Sequence, residues 1–152
     1  MQRRAVLGSG VAGLTVAAMT PLWAADRNDT AMAFHSIAMA RRQRDLPGLT
    51  ILPGLNRVVA AQTQHMAFAG MMTHLDAQGR DPAARAQHVG YSGRVLGEAL
   101  AETFDGPVET VEVWLAHTQT REVLLDTFAQ YMGLSMQRDD DGRMWWAMNV
   151  GV

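Results

Sequence analysis

No cysteine and no lysine occur in the 152-residue sequence, and aromatic side chains make up only 7% of it. Without cysteine there is no disulfide framework and no attachment point for a bacterial lipoprotein anchor, so the fold must rest on core burial. Without lysine, all 13 basic residues are arginine, and no long cationic run exists to neutralise phosphates. Nucleic acid is therefore excluded as a partner. Serine nucleophiles are scarce: Ser36, Ser92 and Ser135 stand outside any G-x-S-x-G frame, and no base is identified for Ser92 beside Gly90-Tyr91. Internal repeats, low-complexity blocks and linkers are also missing.

What is there begins with a leader. Arg3 and Arg4 precede an uncharged apolar run from Val6 to Met19, and Pro21 breaks it before Leu22-Trp23-Ala24-Ala25. Residues 1–25 read as a signal peptide, and the paired arginines resemble a twin-arginine export signal. The run is shorter than the roughly 20 apolar residues that span a bilayer, so no stable transmembrane anchor is expected. Gly8, Gly10 and Gly13 spell G-x-G-x-x-G, but Pro21 and a polar stretch follow where a helix and second strand would be required, which rejects a dinucleotide site. Removal of residues 1–24 leaves 11 arginines against 15 acids, a charge of −4. The expected address is periplasmic or secreted, with residues 26–152 forming one domain.

Asp29 or Thr30 is placed to cap a helix running to about Arg44, with Met32, Ile37, Met39 and Ala40 on its apolar side. Leu55, Val58, Val59, Gln62, Met66, Ala69 and Met72 give a period-3.6 face, predicting a second helix closed by Thr73-His74. Asp81-Pro82 supplies an N-cap and first helical position for a helix to about Val89. Val95–Leu100 reads as a buried strand, Gly106-Pro107 as the start of a helix carrying Trp114, and Thr120–Tyr131 as another helix. Two terminal strands, Gly133–Arg138 and Arg143–Val150, flank an Asp-Gly hairpin signal. Trp145 and Trp146 must face opposite sides of their strand. The expected fold is α+β, a three-layer α/β/α sandwich with a small, mostly antiparallel sheet.

Across residues 30–152 the chain resembles the CAP superfamily, whose domain is also called SCP. The residues that carry the likeness are Arg41, Thr73-His74, Arg85 before Gly90-Tyr91, Gly97-Glu98-Ala99, Trp114, Arg121 and the closing Trp145-Trp146-Ala147-Met148-Asn149-Val150-Gly151. The resemblance implies a secreted domain with a central cleft, in which some members hold a metal with two histidines and acidic residues. His74 and Glu98 stand at the first two matching positions. The second histidine position holds Thr120, the asparagine of G-E-N is Ala99, and the closing glutamine is Met148.

Glu98 lies within an apolar strand, where an unpaired carboxylate is costly, so it needs a partner, and His74 is the obvious one. A purely structural pair satisfies that demand and outweighs a binding site. The expected cleft comprises His74, Glu98, Thr120 and His117. No metal or other cofactor is expected. Zinc, if held at all, would use His74, Glu98 and His117, yet three residues along a helix turn His117 about 60° from the vacant position. His35 and His88 read as solvent-facing and His65 as partly buried, while Glu112 and Glu122 read as helix-surface acids. The 11 methionines read mainly as core.

The reading that follows is a non-enzymatic domain that binds a small apolar ligand, in keeping with the lipid binding of some family members, or a cell-envelope protein. The alternative is a hydrolase using His74 and Glu98, with or without a metal. A scaffold with a decayed site is the third reading.

Overall fold

A computed structural model describes residues 22–152, so the leader lies outside the described residues except for Leu22–Ala25, which begin α1. Five helices and four strands follow: α1 (Leu22–Arg42), β1 (Thr50–Ile51), α2 (Pro53–Ala69), α3 (Pro82–His88), β2 (Val95–Thr103), α4 (Pro107–Ala116), α5 (Thr118–Leu124), β3 (Tyr131–Arg138) and β4 (Met144–Gly151). The sheet order is β1-β3-β4-β2, with β1 and β3 parallel and both pairings of β4 antiparallel. One face is covered by α2 and α3, the other by α1, α4 and α5. This is the expected α/β/α sandwich.

β4 lies between β3 and β2 and is buried along its whole length. Its side chains alternate: Trp145 and Ala147 join Val59 and Met66 of α2, while Trp146, Met148 and Val150 enter the larger cluster with Ile37 and Trp114. Trp114 meets Trp146 edge to face at 6.5 Å between ring centres, and its indole N–H donates to the Leu100 carbonyl at 2.9 Å. Gly133 lets α2 lie close on the sheet, because a Cβ there would sit 2.5 Å from the Leu55 carbonyl.

Several sequence-based boundaries shift. α1 begins earlier than Asp29, and its buried stripe is Ala33, Ile37, Ala40 and Arg41, whereas Met32 and Met39 are exposed. Small residues at spacings of three and four let α1 approach its neighbours, which turns the bulkier methionines to the flank. α2 stops at Ala69 because Gly70 takes a left-handed φ of 63°, so His74 rides on the following loop and Met72 is exposed. α5 ends at Leu124 rather than Tyr131. The Asp126 carboxylate accepts the amides of Phe128 and Ala129 there, and Tyr131 joins β3 beside Thr50 and Gly151. β2 continues to Thr103. The hairpin turn is longer than two residues: Asp139 Oδ1 accepts the amides of Asp141 and Arg143, and Gly142 has a φ of 82°.

Buried Arg41 fastens α1 to the end of α5. Its Nη1 donates to the carbonyls of Leu124 and Asp126, both at 2.9 Å, and its Nε donates to Pro47 at 2.8 Å. Burial holds the Arg41 pKa below its usual value, against the opposing pull of Asp126.

Candidate functional site

Glu98 is the centre. On β2 it points to the α2–α3 side, opposite its flanking neighbours Gly97 and Ala99, and it lies directly across from Asn149 on β4. Its side chain is 1% exposed. Three groups converge on the carboxylate. His74 Nδ1 lies 2.9 Å from Oε1, and Arg85 Nη2 lies 2.7 Å from Oε2. Asn149, turned so that its amide nitrogen meets the carboxylate, donates to Oε2 at 2.8 Å and to the Met148 carbonyl at 3.2 Å.

Each partner comes from a different element. Arg85 is held by α3, whose Asp81 N-cap accepts the Ala84 amide at 2.8 Å and whose first residue is Pro82. The same Arg85 Nη2 donates to the His74 carbonyl at 3.1 Å, so one guanidinium grips both the carboxylate and the loop that carries the imidazole. Arg85 is the counter-charge of Glu98, with its side chain 5% exposed. His74 is the outward member, 61% exposed. The carboxylate oxygen accepts from Nδ1, and Nε2 makes no hydrogen bond among the described residues.

The loop between α2 and α3 has its own clasp. Asp76 Oδ1 accepts the amides of Gln78 and Arg80, both at 2.9 Å, and Oδ2 meets Arg80 Nε at 2.7 Å. Burial pushes the Asp76 carboxyl up, but the Arg80 and Gln78 hydrogen bonds and the Arg80 charge together outweigh it and hold its pKa below the usual range. The Gly-Tyr pair has a comparable structural basis. Gly90 has a φ of 84°, and the Tyr91 hydroxyl donates to the Val152 carbonyl at 3.0 Å. A Cβ on Gly151 would lie 2.5 Å from that hydroxyl. Burial, and then the neighbouring Tyr131, raise the Tyr91 pKa.

The remaining expected cleft residues have other partners. His117 sits between α4 and α5, with Nδ1 2.9 Å from the Val113 carbonyl. The Thr120 hydroxyl donates to the Trp114 carbonyl at 2.7 Å and contacts that of His117 at 3.3 Å. Both side chains close the α4–α5 junction, and neither hydrogen-bonds to His74 or Glu98. Among the described residues, no group of three or more His, Asp or Glu is disposed to hold a metal. The carboxylate oxygens of Glu98 are already engaged and no third ligand joins His74, so this donor set does not fit zinc. His35 and His88 are exposed and His65 is partly buried.

In the sequence Arg85 and Asn149 are motif members with no evident task. The signal that points to them is a carboxylate inside an apolar strand, which demands a fixed counter-charge beyond an imidazole alone.

A separate groove of about 460 Å³ opens between α1 and the edge of the sheet, where β1 is too short to cover β3. Phe34, Ile51, Leu134 and Met136 give it an apolar floor, and Asp26, Arg27, Thr30, Asn56 and Ser135 supply its polar rim.

Residues 34–150 match the model of the cysteine-rich secretory protein family. A search of curated protein sequences gives no match. Among solved structures, an outer surface protein of Borrelia burgdorferi is similar with a TM-score of 0.77 at 22% identity, covering 82% of this chain and 92% of that one. An extracellular SCP-domain protein of Bacillus anthracis gives 0.76 at 18% identity, covering 88% of this chain and 44% of its own. A cysteine-rich secretory protein of Staphylococcus aureus gives 0.64 at 15% identity, with coverages of 83% and 38%. This chain thus spans less than half the length of the latter two. With the family model covering most of the domain and the fold shared with all three, the chain belongs to the CAP, or cysteine-rich secretory protein, family.

Proposed function

We propose that the chain is an exported, non-enzymatic CAP domain that acts by binding, taking a small apolar ligand in the groove between α1 and the β3 edge. The observation that carries this reading is the saturation of Glu98. Both of its oxygens are engaged by His74, Arg85 and Asn149, which leaves the carboxylate to lock β2 to the α2–α3 loop rather than to move a proton. The groove, at about 460 Å³, falls within the common range of ~300–1,000 Å³ for small-molecule sites and pairs apolar walls with a few polar groups. Export accords with the leader-like first 25 residues and with the similarity to an outer surface protein and an extracellular protein. Among the described residues no helix is long and apolar enough to cross a membrane.

The hydrolase alternative has one feature in its favour, an exposed imidazole oriented by a carboxylate. It lacks an assigned nucleophile, and the other groups at the centre, Arg85 and Asn149, serve to hold the carboxylate.

Native mass spectrometry and lipid extraction of the purified protein test the reading. Stoichiometric apolar ligand is expected in the wild type and in His74→Ala, and its loss is expected in Ala31→Trp, which fills the groove. Turnover of ester substrates that vanishes in His74→Ala would refute it in favour of the hydrolase. Absence of ligand from the wild type would refute the groove.

A further inference from the structure

The loop that follows α2 reads Gly70-Met71-Met72-Thr73-His74-Leu75, and it carries two thioethers and an imidazole that the fold does not bury. Met71 and Met72 are 59% and 50% exposed, against 0% for Met66 one turn back, and the His74 side chain is 61% exposed. Ordinary packing puts methionine inside, as it does for Met132, Met136, Met144 and Met148. Two adjacent exposed methionines beside an exposed histidine therefore call for a physical account.

The backbone beneath these side chains is held in place. Gln62, fully buried on α2, donates through Nε2 to the Thr73 carbonyl at 2.6 Å and to the Leu75 carbonyl at 3.2 Å. Arg85 donates to the carbonyl of His74 between them. Thr73 Oγ1 accepts the Leu75 amide at 3.1 Å, and the Met71 amide returns to the Met66 carbonyl at 3.2 Å. Three successive carbonyls are thus fixed from the protein side. The side chains of Met71 and Met72 are open to solvent, while that of His74 is anchored through Nδ1 to Glu98 and stays 61% exposed.

The imidazole is also prepared. Glu98 Oε1 holds Nδ1, which leaves Nε2 as the ring nitrogen without a partner among the described residues, the arrangement in which a carboxylate behind a histidine orients it for a metal. Met71 to His74 spans three residues, at most about 11 Å between Cα atoms. That distance lies within the combined reach of flexible methionine side chains and an imidazole. Thioether sulfur is a soft donor that selects Cu(I), imidazole also suits copper, and the chain has no thiolate to compete.

We propose that Met71, Met72 and His74 form a surface site for a soft monovalent cation, Cu(I). The site is separate from the α1 groove and stands or falls independently of the ligand proposed there.

The test is anaerobic titration of the purified protein with Cu(I) in competition with bathocuproine disulfonate, repeated with Ag(I) as a redox-inert stand-in. The wild type is expected to withdraw one equivalent of Cu(I). Met71→Ala/Met72→Ala is expected to bind at least ~100-fold more weakly, and His74→Gln about tenfold more weakly. Met32→Ala/Met39→Ala, which removes two exposed methionines elsewhere, should bind as the wild type does. Because the side chains exchanged are exposed, far-UV circular dichroism should be unchanged in every variant. Methionine-methyl NMR gives an independent reading: Ag(I) should move the Met71 and Met72 resonances and leave those of Met32 and Met39 in place. Failure of the wild type to compete, undiminished affinity in Met71→Ala/Met72→Ala, or equal shifts at all four methyl groups would overturn the proposal.

Discussion

Replacing Arg85 with alanine strips the Glu98 carboxylate of its cationic partner while leaving it inside the protein, with only 1% of its side chain exposed. His74 and Asn149 still contact it, but the only fixed positive charge in contact among the described residues is gone. Removing one member of a buried ion pair costs about 3–5 kcal/mol, because the survivor keeps its desolvation penalty without the compensating attraction. Against a total stability of about 5–15 kcal/mol, that is a large share. With an m-value of about 2 kcal/mol/M, the urea midpoint should fall by about 2 M at unchanged slope. The same reasoning makes Arg85→Ala/Glu98→Gln more stable than Arg85→Ala alone, since a neutral amide in place of the carboxylate no longer needs a counter-charge, with a coupling of about 2 kcal/mol in the double-mutant cycle. His74→Ala removes the exposed member and should cost no more than ~1 kcal/mol. A loss below ~1 kcal/mol for Arg85→Ala, or additive effects across the cycle, would show that Glu98 does not depend on Arg85.

Gly133→Ala places a Cβ 2.5 Å from the Leu55 carbonyl, so α2 must shift on the sheet; a loss of about 1–3 kcal/mol is expected in thermal or urea unfolding. For Asp139, the Trp145 indole N–H at 2.9 Å, assisted by the Arg143 and Asp141 amides and the Arg143 charge, outweighs burial and holds the carboxyl pKa down. The folded pKa lies below the unfolded value of about 3.9, so the stabilisation is complete above that pH and disappears as pH falls through the folded pKa. Stability profiles of the wild type and Asp139→Asn should accordingly run parallel at neutral pH and converge in acid; a constant gap down to the lowest pH reached would contradict the assignment.

Much of the architecture was legible because its signals are local. Asp81-Pro82 starts α3, Gly106-Pro107 starts α4, and adjacent tryptophans on a strand must separate to opposite faces. The apolar face of α2 is legible from Leu55 to Met66, but its end is not, because Met72 continues the spacing beyond Gly70. In α1 the methionines drew attention by size, while close approach favoured alanine. The end of α5 is also gripped by Arg41, which reaches the Leu124 carbonyl across 83 residues of sequence, a contact that no window of neighbouring residues contains.

By itself the sequence determined the layer arrangement, the family likeness and the need of Glu98 for a partner, since periodicity, caps and the cost of a buried charge act on individual residues. Tertiary structure alone decided that Arg85 and Asn149 share Glu98 with His74, and that His117 and Thr120 close a helix junction instead. The physical reason is that a buried polar group takes whichever partners packing brings within about 3 Å, and that choice is made between elements rather than within them.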